Sequence, residues 1–225
     1  MKPLAIDLFC GLGGWTQGLL AEGYDVVGFD IERHVYGDHR YPGMLCIQDV
    51  RTLHGSQFKN AALIVASPPC QAYSYRAMPW KLAKALPPPD NTLFEACFRI
   101  QREACEAAGR HIPMIVENVR GAQKWVGRAR WSFGSFYLWG DVPALMPIAV
   151  HKPKFILDDI QNGQRRQVEG VYENGIKCGG DWFGPGVKSE MRRHSSKSKA
   201  RRQASAMIAK IPLPLSRHIA TTFRP

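Results

Sequence analysis

The sequence lacks the features that would place the chain in a membrane, outside the cell or around a metal ion. No apolar run is long enough to cross a bilayer, although 45% of the residues are hydrophobic. The first apolar stretch is broken by Asp7, too early for a secretory signal, so we expect a cytoplasmic protein. The six cysteines include no pair at the C-x-x-C spacing of metal sites. We therefore expect free thiols, and neither a metal nor a membrane among the partners.

Acidic residues are scarce relative to basic ones. The chain has 19 Asp and Glu against 30 Lys and Arg, a formal charge of +11, which favours a polyanionic partner such as nucleic acid. Much of the excess lies in residues 188–202, where seven basic residues stand against Glu190 alone. This stretch is either a solvated loop or a contact for a nucleic-acid backbone. The two alternatives are compatible, because basic arms often become ordered on binding.

Short apolar runs alternate with helical segments in the first two thirds of the chain. The runs at 4–9, 25–29, 46–47, 61–66, 113–116 and 136–139 predict strands, and the segments 15–22 and 93–108 predict helices. This alternation predicts an α/β domain with a mostly parallel sheet. Ligands of such sheets bind beyond the carboxyl ends of the strands, so the residues that follow each strand are the candidate site.

The alternating pattern ends near residue 146 and resumes near the C-terminus. Residues 151–200 are polar and rich in glycine and charge, whereas 204–220 are again partly apolar. We therefore predict one α/β domain formed by 1–145 and 203–225. A short, irregular and partly mobile insert, 146–202, interrupts it.

Three features at predicted strand ends suit a nucleoside-containing cofactor. The first strand runs into the glycine turn Gly11–Gly14, and glycines let the backbone approach a ligand closely. Asp30 ends the second strand, a usual place for a carboxylate that accepts from two ribose hydroxyls. Asp49 follows the third strand and can accept from an adenine amino group. Each feature also occurs in plain tight turns or solvent-facing loops, so none is diagnostic alone.

A more specific signal is a cysteine held behind two prolines. Pro68 and Pro69 end the fourth strand and fix the backbone that carries Cys70. The thiolate is the attacking form of cysteine, and a free thiol titrates near pH ~8.5. Glu117 follows the fifth strand at the same sheet edge, where it can face Cys70 across a pocket. The alternative for Cys70 is a buried structural thiol, and the alternative for Glu117 is an acid that caps a helix.

In this order, Asp7–Gly14, Pro69-Cys70-Gln71 and Glu117-Asn118-Val119 resemble the motifs of the C5-cytosine DNA methyltransferase family. The segment Lys210–Ala220 is similar to that family's last motif, which returns to pack beside the first. The resemblance covers 1–145 and about 203–225. It implies a Rossmann-like, S-adenosylmethionine-dependent fold and an enzyme that methylates carbon 5 of cytosine in DNA.

The resemblance also implies residue roles. Cys70 adds covalently to the cytosine ring, Glu117 binds its polar edge, and Arg128 or Arg130 supports the base. Cys70 and Glu117 suit these roles chemically, because a thiolate is a strong nucleophile and a carboxyl can hydrogen-bond a ring nitrogen. The residues expected to bind S-adenosylmethionine are Phe9, Gly11, Gly13, Gly14, Asp30, Ile31, Asp49 and Pro69.

The sequence departs from the family pattern in three places. Val126 stands where the family has a glutamine before its two arginines, and five residues, 131–135, separate the arginines from the next predicted strand. Ile31 stands where an aromatic residue is usual. The insert is also very short for target recognition. Two alternatives therefore remain: the same chemistry on a free cytosine nucleotide or a single strand, and a non-catalytic nucleic-acid-binding relic.

Overall fold

The computed structural model describes residues 1–74, 87–147, 156–159, 164–167, 194–195 and 197–225. Its strands are β1 (Leu4–Leu8), β2 (Asp25–Asp30), β3 (Val35–Tyr36), β4 (His39–Arg40), β5 (Met44–Ile47), β6 (Leu63–Ala66), β7 (Met114–Asn118), β8 (Trp131–Phe133), β9 (Phe136–Gly140), β10 (Ile156–Asp159) and β11 (Gln164–Gln167). Its helices are α1 (Gly14–Ala21), α2 (Thr92–Ala108), α3 (Gln123–Val126), α4 (Lys199–Ala209) and α5 (Leu213–Thr222).

Seven strands form one sheet in the order β5-β2-β1-β6-β7-β9-β8. The first five pair in parallel, whereas β9 is antiparallel to both β7 and β8. The predicted mostly parallel α/β fold is therefore confirmed. Because β1, β2, β5, β6 and β7 run in the same direction, the residues that follow them all lie at one edge of the sheet.

Each face of the sheet carries its own hydrophobic core. On one face, α2 packs its buried residues Phe94, Cys97 and Ile100 against alternate side chains of the central strands. On the other face, α1 and α5 pack through Trp15 and Leu215. Central strands buried on both faces read in sequence as continuous apolar runs, which is why these runs could be identified.

Helices α1 and α5 lie unusually close together. A Cβ on Gly14 would lie 2.4 Å from the Ile211 amide nitrogen, and one on Gly18 would lie 2.3 Å from Ser216 Oγ. The Tyr24 hydroxyl also donates to the Ala220 carbonyl oxygen at 3.0 Å. The final segment thus packs beside the first helix, as the sequence resemblance implied.

The structure adds one strand to the predicted sheet. β8 begins at Trp131, directly after Arg130, whereas the sequence analysis expected five residues between the arginines and the next strand. That expectation was wrong, because the tight turn at Gly134-Ser135 leaves room for a three-residue strand before β9.

Most of the predicted insert, 146–202, lies outside the described residues, so its boundaries and mobility stay predictions. Within it, β10 and β11 form an antiparallel ladder, and α4 begins at Lys199, before the expected boundary. In the part of the chain that the structure describes, no helix combines the length and apolar character needed to span a membrane.

Candidate functional site

The glycine turn after β1 meets the carboxylate that ends β2. Phe9 and Gly11 both adopt left-handed backbone conformations, with φ of 57° and 51°. This places the Gly11 amide 2.9 Å from Asp30 Oδ2, to which it donates a hydrogen bond. A Cβ built on Gly11 would meet no atom within 4 Å, so the turn borders open space that a ligand can enter. The structure therefore brings Gly11 and Asp30 together, as the sequence predicted.

Asp30 is held as a carboxylate although it is buried. Burial raises its pKa, but hydrogen bonds from His34 and from the Gly11 and Glu32 amides outweigh this and leave the pKa below its ordinary value. Nε2 of His34 lies 3.4 Å from Asp30 Oδ1. The next residue, Ile31, is an exposed apolar side chain at 67% exposure. An ionised acceptor beside an uncovered apolar surface suits the ribose and base of a nucleoside.

Asp49 is engaged within its own turn. Its Oδ1 accepts from the Arg51 amide at 2.9 Å, and its Oδ2 accepts from the Arg51 guanidinium at 2.6 Å. These hydrogen bonds, with that from the side chain the stronger, hold the pKa of Asp49 below its usual value. Asp49 follows β5, one strand beyond Asp30, so both carboxylates border the same edge of the sheet.

A buried polar network below the glycine turn was not anticipated. Thr16 donates to Asp7 Oδ2 at 2.6 Å, so its single proton is used, and the Tyr41 hydroxyl, 2.7 Å away, is the donor to Thr16. Asp7 Oδ1 is buried without a partner in the described residues. Burial raises the pKa of Asp7 to about 7. Asp7 belongs to the motif Asp7–Gly14, but the sequence gives no sign that its carboxyl is enclosed.

The proline–cysteine segment, residues 67–70, forms hydrogen bonds with two neighbouring elements. The Trp15 indole N–H donates to Ser67 Oγ at 3.0 Å, and Asn118 Nδ2 donates to the Pro68 carbonyl oxygen at 2.9 Å. Cys70 follows, half-buried, with φ −94° and ψ −1°. This bridge conformation is sparsely populated in general but recurs at active sites. Pro69 itself is exposed at the same edge.

The turn after Cys70, which is the cysteine turn of residues 71–74, packs against the loop after β7. A Cβ on Gly121 would lie 2.2 Å from the Tyr73 carbonyl oxygen, so only glycine permits this approach. The Tyr73 hydroxyl donates to Asn91 Oδ1 at 2.8 Å, which joins the same turn to the start of α2. The cysteine turn is therefore fixed from both sides.

Glu117 lies on the strand next to the one that leads to Cys70. Strands β6 and β7 are parallel with Ala66 opposite Val116, so Glu117 and the proline–cysteine segment emerge at the same level. Glu117 is buried at 7% exposure. Together with the bond from Asn118 to Pro68, this register brings the carboxyl and the thiol to one edge, as predicted.

Arg128 and Arg130 lie on an ordered loop that leads into β8. The Arg130 amide donates to the Leu138 carbonyl oxygen at 2.9 Å, and Leu138 is also the β9 partner of Glu117. Two strand spacings of about 4.8 Å each thus separate the Arg130 backbone from Glu117. Both arginine side chains are exposed.

Gln123 is a residue that the sequence analysis missed. Its Oε1 accepts from the Ala129 amide, between the two arginines, at 3.2 Å. The Trp139 indole N–H donates to the Gly127 carbonyl oxygen at 2.9 Å and fixes the other end of the loop. The expected glutamine position is occupied by Val126, and only the fold shows that a glutamine three residues earlier reaches this loop.

Comparisons with known proteins give the family of this chain. The sequence model of the C-5 cytosine-specific DNA methylases matches residues 4–125, more than half of the chain. A comparison with curated proteins finds no match. Among the described residues, no group of three or more His, Cys, Asp or Glu side chains is arranged to hold a metal ion.

Several solved structures are similar to the chain. A prophage-encoded protein of E. coli described as a DNA modification methyltransferase is 25% identical, with a TM-score of 0.37 over 56% of this chain and 34% of that one. The S. pombe Dnmt2 methyltransferase is 16% identical, with a TM-score of 0.37 over 55% and 36%. The Entamoeba histolytica methyltransferase EhMeth is 17% identical, with a TM-score of 0.38 over 55% and 40%. The matched part thus spans about a third to two fifths of these proteins.

Proposed function

The chain belongs to the C-5 cytosine-specific DNA methylase family, and from this premise we propose that it transfers a methyl group from S-adenosylmethionine to carbon 5 of cytosine in DNA. The observation that carries the proposal is the hydrogen bond from Asn118 to Pro68 at 2.9 Å. It couples the Cys70 segment to the strand that bears Glu117, so the two groups that the chemistry needs are held at one edge.

The residues at the ends of β1 and β2 fit S-adenosylmethionine. A carboxylate offers about four acceptor sites, and three donors of this chain reach Asp30, which leaves capacity for a ribose hydroxyl. Ile31 offers an exposed apolar surface to adenine. When bound, S-adenosylmethionine supplies an electrophilic methyl group on a cationic sulfonium.

Cys70 and Glu117 act on the cytosine ring. The Cys70 sulfur bonds to carbon 6, and the electron pair of the 5,6 double bond makes carbon 5 nucleophilic. Glu117 hydrogen-bonds ring nitrogen 3 and the exocyclic amine, which stabilises the adduct. Carbon 5 accepts the methyl group. A base then removes the carbon-5 proton, and the electrons of that C–H bond restore the double bond as the sulfur leaves.

The two arginines complete the pocket from the β8 side. Each guanidinium is a permanent cation with planar donors, suited to a carbonyl oxygen of the base or to a phosphate. The backbone of their loop is fixed by bonds to Leu138 and Gln123, whereas the side chains extend into solvent. They are therefore placed to contact a substrate that enters from outside.

A covalent trap tests the proposal. Wild-type protein should transfer labelled methyl groups to cytosine-containing DNA and form an adduct with 5-fluorocytosine DNA that mass spectrometry detects. Cys70→Ser should lose at least about a thousandfold in turnover, as expected when a nucleophile is removed, and should form no adduct. Its affinity for S-adenosylmethionine, measured by calorimetry, should stay within about twofold of wild type.

Cys105→Ser is the matched control, because Cys105 is a half-buried thiol on α2, distant in the fold from the cysteine turn. It should retain activity. Near-normal transfer by Cys70→Ser would exclude covalent catalysis. Undetectable binding of both S-adenosylmethionine and S-adenosylhomocysteine by wild type would favour a non-catalytic nucleic-acid-binding protein instead.

A further inference from the structure

A basic cleft lies beside the proposed cofactor site. It opens between the loop after β2 and the first turn of α4, with a volume of about 350 Å³. Arg33, His34 and Tyr36 line one side, and Lys197, Lys199 and Arg202 line the other. The two sides are far apart in the sequence and meet only in the fold.

The cleft has an uncompensated positive charge. Its four permanent cations, Arg33, Lys197, Lys199 and Arg202, face one lining carboxylate, Glu32. All four cations are exposed, and within the described part of the chain none of them forms an ion pair. A surface of this kind attracts an anion, because bringing like charges together is otherwise unfavourable.

His34 connects the cleft to the cofactor side without belonging to the catalytic pocket. It contacts Asp30 Oδ1 at 3.4 Å and stacks on Tyr36 with a ring-centroid separation of 6.3 Å. The cleft therefore lies at the β2 end of the site. Cys70 follows β6, whose axis lies two strand spacings, about 10 Å, from that of β2. An anion in the cleft and a base beside Cys70 can be bound at the same time.

We propose that this cleft binds backbone phosphates of a nucleic-acid strand whose target base lies beside Cys70; the inference rests on the proposed function for the identity of that base. A strand fits better than a free phosphate, because the cleft is open and its four exposed cations come from two separate elements on its two sides. In the sequence, Lys197, Lys199 and Arg202 belong to the basic stretch 188–202.

Charge removal tests the cleft. The triple variant Lys197→Gln, Lys199→Gln, Arg202→Gln is compared with a control that removes the same charge from exposed sites elsewhere: Lys2→Gln, Lys59→Gln, Arg102→Gln. Fluorescence anisotropy with a short labelled duplex, and with its single strand, gives affinity between about 50 and 200 mM salt. The cleft variant should lower the magnitude of the slope of log K against log salt by about 2 to 3, since each lost phosphate contact removes roughly 0.9. Its duplex affinity at the lowest salt should fall at least tenfold.

The single variant Arg33→Gln provides a second measurement and should lower the slope by about 1. The control triple should change the slope by less than half as much as the cleft triple. Equal effects of both triples, or wild type that binds neither duplex nor single strand, would overturn the proposal. The proposal is also overturned if the cleft triple variant loses binding to inorganic phosphate or deoxycytidine monophosphate but keeps the strand affinity of wild type. That result would indicate a site for free phosphate.

Methyl transfer, measured in parallel, separates this inference from the proposed function. If wild type methylates DNA and the cleft triple variant keeps the wild-type slope of log K against log salt, the proposed role of the cleft is wrong and the proposed function stands. A wild type without transferase activity whose strand affinity still depends on the cleft would refute the function and support the cleft. Affinity for S-adenosylmethionine should be similar in all variants.

Discussion

At the scale of single residues, the protonation of Asp7 depends on its surroundings. Its Oδ2 accepts from the Thr16 hydroxyl at 2.6 Å, and its Oδ1 is buried with no partner among the described residues. Burial disfavours the ionised form of a carboxyl.

Asp7 should make the unfolding free energy depend on pH. Desolvation raises its folded-state pKa from 3.8 to about 7, so the native state retains a proton that the unfolded chain releases. The contribution of this retained proton to the free energy of unfolding is fully present below about pH 4. It is lost as pH rises towards 7, which lowers the free energy of unfolding by up to about 4 kcal/mol. Urea unfolding of Asp7→Asn, measured from pH 4 to 8 without cofactor, should lack this decline. The exposed Asp25→Asn is the matched substitution and should follow wild type.

Gln123 should act as a positioning residue. Removing its bond to the Ala129 amide frees the loop that carries Arg128 and Arg130. A hydrogen bond contributes about 1 kcal/mol, so Gln123→Ala should lower kcat/KM for DNA roughly fivefold to tenfold, mainly through KM. Gln57→Ala removes a comparable side-chain bond to the His54 carbonyl oxygen, far from the site. If both variants lose the same stability and the same activity, the positioning role is wrong.

Cys70 behind two prolines and Asp30 after an apolar run are predictable from the sequence, because a strand end and a special residue coincide there. Asp7 and Gln123 are not. An enclosed carboxyl looks like any other in sequence, and the bond from Gln123 to the Ala129 amide depends on how the loop folds back.

At the scale of elements, the central strands were predictable and the edge elements were not. Strands β1, β2, β6 and β7 are apolar runs buried on both faces, so their signal is strong. The three-residue strand β8 and the two-residue strands β3 and β4 are too short to carry a period. Missing β8 matters for the proposed site, because this strand begins directly after Arg130, as the family pattern expects.

The close contact of α1 with α5 should be sensitive to one methyl group. Helix propensity alone would make Gly18→Ala stabilising by about 1 kcal/mol. The new Cβ would, however, lie 2.5 Å from the Ser216 carbonyl carbon, which must shift. We expect a net loss of about 1 to 3 kcal/mol in chemical unfolding. Gln17→Ala, on the exposed side of α1, should not destabilise, and a stable Gly18→Ala would show that the two helices are not in close contact.

At the scale of the whole molecule, the size and charge of the predicted insert, 146–202, bear on which substrate the proposed site takes. The elements of the seven-stranded fold come from both ends of the chain, since α5 packs with α1 on one face of the sheet. Within residues 1–225, we expect the predicted insert, 146–202, to contact the target sequence. Base contacts specify a sequence and phosphate contacts only position it, so a short basic insert favours affinity over specificity.

The form of the substrate should follow from this balance of charge and size. Reaching a cytosine inside a duplex costs a few kcal/mol of unstacking, which contacts with the strands must offset. With a formal charge of +11, the chain can supply phosphate contacts but few rigid base-reading side chains. We expect methyl transfer to duplex DNA with little sequence preference, falling roughly tenfold or more between about 50 and 200 mM salt.

A parallel assay on duplex DNA, single-stranded DNA, transfer RNA and deoxycytidine monophosphate measures this directly, with Cys70→Ser as the blank in every arm. A duplex rate that depends steeply on salt, while transfer to the monophosphate stays undetectable, is the expected pattern. The reason is that one phosphate cannot engage cations spread along a cleft as a strand can. Efficient transfer to the monophosphate with none to duplex would overturn the DNA substrate. The Cys70 chemistry would stand, and the arginines before β8 would become the contacts for a single phosphate.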